Sequence, residues 1–243
     1  RAEDLLIRSQ SLAAIGTLGA GIAHEINNPL TGILGAAQLI LLDLPPDAPM
    51  RALVLDMEQQ AQRIRRIVAN LSRVVQRETG EEKTTIDLNQ VVEDALGLVG
   101  IDSLYTAKIE VCKRCQQPLP GIRGNRVQLQ EALIELINNA RKAMPGGGKL
   151  TVATSTPDPR IVSVRVSDTG RGIPVENLER IFDPFFTTKD DWKSTGMGLT
   201  LVNRIVEQHN GVLMVDSQTS SGSGTSFVVS FPVAVEPTVG AVH

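Results

Sequence analysis

Apolar residues recur every seven positions through the start of the chain, at Leu5, Leu12, Gly19, Ile26, Ile33 and Ile40, with Ile15, Ile22, Pro29 and Ala36 between them. That spacing predicts a long helix with a heptad seam of a and d positions. Pro45, Pro46 and Pro49 break the pattern. Leu53, Met57, Ile64, Ile67, Leu71 and Val74 then mark a second helix. Two long helices on a short proline-rich turn predict an antiparallel hairpin. The first helix carries a further apolar row at Leu30, Leu34, Ala37 and Leu41, which a hairpin closed along a and d leaves bare. Pairing two hairpins as a four-helix bundle in a homodimer is expected to cover that row, in preference to the chain's own second half.

Around Glu78 to Thr85 the periodicity dissolves into charge and threonine, which reads as a linker. Strand and helix patterns then alternate. TTIDL reads as a short strand, NQVVEDALGLV as a helix with Asn89 as its N-cap, AKIEVCK as a strand and RVQLQEALIELINNARKAM as a long helix. KLTVATS and IVSVRVSD read as strands separated by a turn at Pro157 to Arg160. MGLTLVNRIVEQHNG reads as a helix stopped by Gly211, and VLMVDSQ with GTSFVVSFP as a closing hairpin. Helices segregated from a mostly antiparallel sheet predict an α+β two-layer sandwich. The expected domains are therefore a helical hairpin over 1–79, a linker over 80–86, an α+β domain over 87–233 and an unstructured tail from Val233 through 234–243.

Composition narrows the function classes. The hydrophobic fraction of 42% supports a core, while aromatics at 3% leave that core to Leu, Ile, Val and Ala. A net charge of -3 offers no basic face for nucleic acid. No apolar run is long enough to span a bilayer and no signal peptide is visible, so the expected location is cytoplasmic. The chain opens within a helical pattern at Arg1, as a fragment with an upstream input region would; any membrane link is expected through that region alone. Cys112 and Cys115 form a C-x-x-C, but they sit in a strand-like stretch and the nearest histidine is distant His209. They read as ordinary reduced cysteines rather than a zinc knuckle.

The polar residues point to a nucleotide. VSDTGRGIP sets Asp168 at the end of an apolar strand before Gly170 and Gly172. A carboxylate there accepts a hydrogen bond from an exocyclic amine such as that of adenine, and the glycines let a flat ring approach the backbone. STGMGLTLV puts Gly196 and Gly198 at a helix start, where free N–H groups hold phosphate. ELINNARKA puts Glu135 and Asn139 four apart on one helix face, with Lys142 three further on. Asn139 offers an amide oxygen to Mg²⁺ and Lys142 neutralises phosphate charge. IFDPFFTTK clusters Phe182, Phe185 and Phe186 beside a polar end, as an anchored hinge for a loop over Lys189 to Thr195 would.

ELINNA, DTGRGIP, FDPFFTTK, GMGLTL and SGSGTSF, in this order, resemble the N, F and glycine boxes of the Bergerat-type (GHKL) ATP-binding fold shared by histidine kinases, gyrase, Hsp90 and MutL. AHEINNPL, about a hundred residues earlier, resembles the phosphoacceptor box of sensor histidine kinases, in wording closest to the NtrB-like subgroup. The resemblance implies a homodimeric, Mg²⁺- and ATP-dependent autokinase that phosphorylates His24 and passes the phosphoryl group to an aspartate of a response regulator. It further implies Glu25 as general base and Asn28 as a residue assisting dephosphorylation of the regulator. By the same resemblance the nucleotide contacts are Asn139, Lys142, Asp168, Gly170, Gly172, Ile173, Thr188, Lys189, Gly196, Met197, Gly198, Leu199 and Thr225, with Asn139 at the metal; Glu135 reads either as a further member of the Mg²⁺ shell or as a tolerated substitution without a new role.

The residues themselves agree for His24. With Gly19 and Ile26 at a positions it occupies an f position, facing solvent, where a largely neutral imidazole is an accessible nucleophile. Pro29, five residues on, leaves the carbonyl near Glu25 without a donor and predicts a kink. Gly16, Gly19, Gly21, Gly32 and Gly35 read equally as close helix packing or as softness near His24. One position departs from the resemblance: the N box opens with Glu135 where histidine kinases usually carry asparagine. In gyrase and Hsp90 relatives a glutamate there activates water, so a conformational ATPase is the competing function; a non-catalytic phosphotransfer scaffold leaves the ATP boxes unexplained.

Overall fold

The computed structural model describes residues 25–75, 83–187, 196–219 and 222–234. They divide into two compact units, Arg1–Thr79 with Asp183–Met197, and Gly80–Phe182 with Gly198–His243. His24, Thr188, Lys189 and the expected loop through Thr195 lie outside the described residues.

In the first unit, helix α1 (25–43) and helix α2 (Pro49–Val75) form the expected hairpin. The packing rows are the reverse of those expected. Leu30, Leu34 and Ala37 are buried on α1, and Val54, Ala61 and Val68 are buried on α2. Leu30, Leu34 and Ala61 pack together, with Ile26 against them. Ile33, Ile40, Leu53, Met57 and Ile64, which periodicity assigns to the seam, are exposed. Both rows have helical spacing, so periodicity alone does not say which of them meets the partner helix. Arg51 closes the turn by donating to the carbonyls of Leu41 (3.0 Å) and Leu44 (2.8 Å), capping the end of α1. The helix runs unbroken through Pro29, and the Thr31 hydroxyl donates to the Asn27 carbonyl at 2.8 Å.

The second unit is the expected two-layer sandwich. Its five-stranded sheet has the order β2-β4-β5-β7-β6, from β2 (Ile109–Cys115), β4 (Gly148–Asp158), β5 (Ile161–Asp168), β6 (Val212–Gln218) and β7 (Gly224–Pro232). Only the β2–β4 pair is parallel; the other pairs are antiparallel. Alternate residues Leu150, Val152, Val162, Val164, Val166, Phe227 and Val229 are buried. Helices α3 (Leu88–Val99), α5 (Arg126–Ala143) and α6 (Gly198–Gln208) supply the opposing layer through Val91, Val92, Leu133, Leu136, Ile137, Val202 and Ile205. A short helix α4 (Ile101–Thr106) leads into β2, and strands β1 (Thr84–Ile86) and β3 (Ile122–Gly124) pair antiparallel.

Four local expectations are corrected. Asp87, not Asn89, caps α3, its side chain accepting from the Asn89 amide at 2.8 Å; Asn89 instead bonds Gln116 and Thr154. Asn210, not Gly211, takes the left-handed position after α6 (φ 54°), with Gly211 N–H donating to the Val206 carbonyl and Asn210 N–H to that of Glu207. The expected linker bound at residue 86 falls before Thr84, because the strand expected at TTIDL is β1, where Ile86 buries its side chain and pairs with Ile122. Val233 and Ala234, expected in the tail, donate to the carbonyls of Arg160 and Gly121. Cys112 and Cys115 are free and, three apart on β2, point to opposite faces of the strand, so they share no ligand.

Candidate functional site

The chemistry gathers on one face of α5. Asn125 begins the helix, its side chain accepting from the Gln128 amide at 3.1 Å, and buried Leu129, Leu133, Leu136, Ile137 and Ala140 fix the helix on the sheet. Glu135, Asn139 and Ala143 follow at four-residue intervals and therefore share a stripe. At one end of the stripe, the Glu135 carboxylate lies against the first residue of α6: a Cβ on Gly198 would fall 2.5 Å from its Oε2. At the other end, the Ala143 carbonyl accepts from the Arg171 amide at 3.2 Å, in the turn that follows Asp168. Asn139 lies between, half-buried, while Lys142 is exposed.

Asp168 closes β5 on the same face as Val164 and Val166, opposite Leu150 and Thr225 in register. Its Oδ1 accepts from the Gly170 amide at 2.8 Å, which fixes the carboxylate at the mouth of the turn. Gly172 takes φ 71°, and a Cβ there would sit 2.0 Å from the Gln218 carbonyl, so only glycine lets the turn lie against β6. The next residue, Ile173, donates its amide to Ser217 Oγ at 2.8 Å. Ser217 in turn donates to the Gly224 carbonyl and meets buried Thr225 Oγ1 at 2.9 Å. Ser217 and Gln218 therefore fasten the glycine turn. Neither was singled out from the sequence, because an isolated serine in a strand carries no distinctive signal.

The predicted site residues that come together are thus Glu135, Asn139, Asp168, Gly170, Gly172, Ile173, Gly198 and Thr225, with Leu199 beside Gly198 on α6. Gly196 and Met197 belong to the segment grouped with the hairpin unit, where Gly196 (φ 69°) packs on the backbone of Phe185 (φ 66°). In the hairpin itself, Glu25 and Asn28 are exposed on α1. Neighbouring Asn27 buries its Oδ1 without a hydrogen-bond partner among the described residues. Away from the stripe, the Arg126 guanidinium donates to Asp94 (Nε, 3.0 Å) and holds that carboxyl below its usual range; the Glu93 carboxylate likewise raises Lys113.

A donor set of one carboxylate and one amide oxygen, one helical turn apart, suits Mg²⁺, which takes few protein ligands and completes its shell with water and substrate phosphate. Among the described residues no cluster of three or more His, Cys, Asp and Glu forms a self-sufficient metal cage.

A sandwich with this stripe, in a chain that also carries a helical hairpin, defines the class. Residues 124–235 match the histidine kinase-, DNA gyrase B- and HSP90-like ATPase family, and residues 14–80 match the His Kinase A (phospho-acceptor) domain. Each family model thus matches one of the two domains. It is 36% identical over 231 residues to the sensor histidine kinase ZraS of Klebsiella oxytoca, covering 95% of this chain and 49% of that protein. It is 35% identical to sporulation kinase A of Bacillus subtilis, covering 95% and 36%, and 33% identical to sensor kinase CckA of Brucella abortus, covering 96% and 26%. The chain thus spans about half or less of the relatives it matches. Among solved structures, histidine kinase ThkA in complex with response regulator TrrA superposes with TM-score 0.67 at 25% identity, covering 96% of this chain and 66% of that one. Full-length ShkA in complex with AMPPNP shares the fold, with TM-score 0.72 at 24% identity over 91% and 46%.

Proposed function

We propose that this chain is the transmitter of a sensor histidine kinase, which phosphorylates His24 from ATP and passes the phosphoryl group to a response-regulator aspartate. The observation that carries the nucleotide half is the α5 stripe, with Glu135 at the start of α6, Ala143 at the turn after Asp168, and Asn139 between. Asp168 accepts from the adenine amine, and the Gly170–Ile173 turn flanks the base. Lys142, Thr188 and Lys189 bear on the phosphates, and Gly196, Met197, Gly198 and Leu199 supply the helix start that holds them. Asn139 and Glu135 would hold Mg²⁺, which when bound neutralises phosphate charge.

In the transfer, an imidazole nitrogen of His24 attacks the γ-phosphorus, a P–N bond forms, and the bond to the departing ADP oxygen breaks. Glu25 takes the imidazole proton. The work of the protein in such a reaction is positioning and charge neutralisation. Asn28, one turn beyond His24 and exposed, is assigned to orienting water when the regulator is dephosphorylated. Exposed Ile33, Ile40, Leu53, Met57 and Ile64 form the row through which two hairpins pair as a homodimer. ThkA was captured with a response regulator, which supports the same kind of partner here. The wording HEINNPL, PFFTTK and GMGL supports an NtrB-like subgroup. The site of action is cytoplasmic; among the described residues no helix is long and apolar enough to cross a membrane.

The test is labelling with γ-³²P-ATP. The wild type acquires acid-labile label, whereas His24→Ala acquires none and still binds nucleotide. Stable labelling of that variant would sink the assignment, and free phosphate without protein label would favour a gyrase-like ATPase.

A further inference from the structure

One titratable group buried in the sandwich has no part in the transfer just described. His209, directly after α6, is 2% exposed and uses both ring nitrogens. Nε2 accepts the Asn125 backbone N–H at 2.9 Å, so that nitrogen carries no proton. Nδ1 therefore carries it and donates to the Ile205 carbonyl at 2.7 Å. The two partners belong to different elements: Ile205 lies in α6, and Asn125 is the residue from which α5 starts. The fit is close on every side. A Cβ on Gly124 would fall 2.5 Å from the ring, and Phe231 of β7 meets it edge-on with centroids 6.2 Å apart.

We propose that His209 is a positioning residue for nucleotide binding: as the neutral Nδ1–H tautomer it pins the end of α6 to the start of α5. These are the two helices whose other parts bring Gly198 against Glu135. The inference rests on the nucleotide-site reading above. Protonation puts a hydrogen on Nε2, which then faces the Asn125 N–H as a second donor; that bond is lost and the two helices are no longer tied. Among the described residues the charge acting on the ring is Lys83, whose ammonium also caps the Gln208 carbonyl; β7 presents Phe231, and β3 with the start of α5 presents backbone. Burial lowers the ring's pKa from the ordinary histidine value; the Ile205 carbonyl opposes this and Lys83 reinforces it.

The experiment measures binding of a fluorescent ATP analogue with Mg²⁺ to the chain, from about pH 7.5 down to the pH at which the fold is lost, for wild type and His209→Gln, with circular dichroism at each point. Gln carries an acceptor and a donor and does not titrate in this range. The expected result is a wild-type affinity that falls roughly tenfold for each pH unit below the ring's titration point, because only the neutral fraction is competent. His209→Gln lacks this component, and the slope from the phosphate's own titration is common to both. Matching pH profiles with both proteins folded overturn the proposal, since a merely structural histidine lowers thermal stability without changing the profile. If His209→Gln does not fold, ¹⁵N spectra of the wild-type imidazole decide. An Nε2 that gains its proton in step with the loss of affinity supports the proposal. Loss of affinity with a neutral ring overturns it, as does affinity that stays flat while the ring titrates or until the fold is lost. Absence of nucleotide binding at about pH 7.5 rejects the site reading itself.

Discussion

The Glu135 carboxylate occupies the space that a side chain on Gly198 would need, with Oε2 2.5 Å from the ideal Cβ position. The glycine at the start of α6 and the acidic opening of the N box are therefore one packing unit. Gly198→Ala is expected to push the carboxylate aside and weaken Mg²⁺-ATP binding about tenfold, the equivalent of roughly 1.4 kcal/mol. A titration with a fluorescent nucleotide checks it, and undiminished affinity would mean that Glu135 moves away without consequence.

Glu135→Gln keeps the shape and removes the charge. It is expected to weaken nucleotide binding in Mg²⁺ more than in EDTA, as a metal-shell ligand would. In a His24→Ala background any residual ADP release is expected to fall with the same change. Unchanged release removes a hydrolytic role for this carboxylate.

Opposite rows of α1 carry opposite predictions. Leu34→Ala, at 5% exposure against Leu30 and Ala61, is expected to cost about 2–5 kcal/mol of hairpin stability in a denaturant melt. Ile33→Asp with Ile40→Asp, on the exposed row, is expected to leave helix content intact and shift the dimer to monomer by light scattering. A dimer that survives the double change would place the interface elsewhere.

Stability should also respond to acid. The pKa of His209 is lowered in the folded chain, so the unfolded state binds the proton more readily. The ring's contribution is present above its unfolded value of about 6.5 and is lost as pH falls through the folded value. Urea midpoints are expected to drop from about pH 7.5 to about 5.5 by more in the wild type than in His209→Gln. Equal drops would assign the acid sensitivity to other groups.

Much of this was legible from spacing. The strands alternate with a period of two and the helices end on recognisable breakers, so the layers were readable. A carboxylate and glycines after an apolar strand are a common turn on their own; Asp168, Gly170 and Gly172 stood out only because the other boxes accompany them in series. What was not legible depends on contacts between distant segments. Leu34 and Ile33 have the same hydrophobic character, and only the rotation of α1 against Ala61 decides which is buried. Asn89 and Asp87 are both competent caps; the choice fell to Asp87 because Asn89 is engaged by Gln116 and Thr154. Ser217 acquires its role only when β6 comes beside the glycine turn.

The internal closure of Leu30 and Leu34 on Ala61 also bears on how the protein is made. The contacts that close the hairpin are made within one chain. In the proposed homodimer, pairing through the exposed row is a separate, concentration-dependent step that rests on a different set of residues.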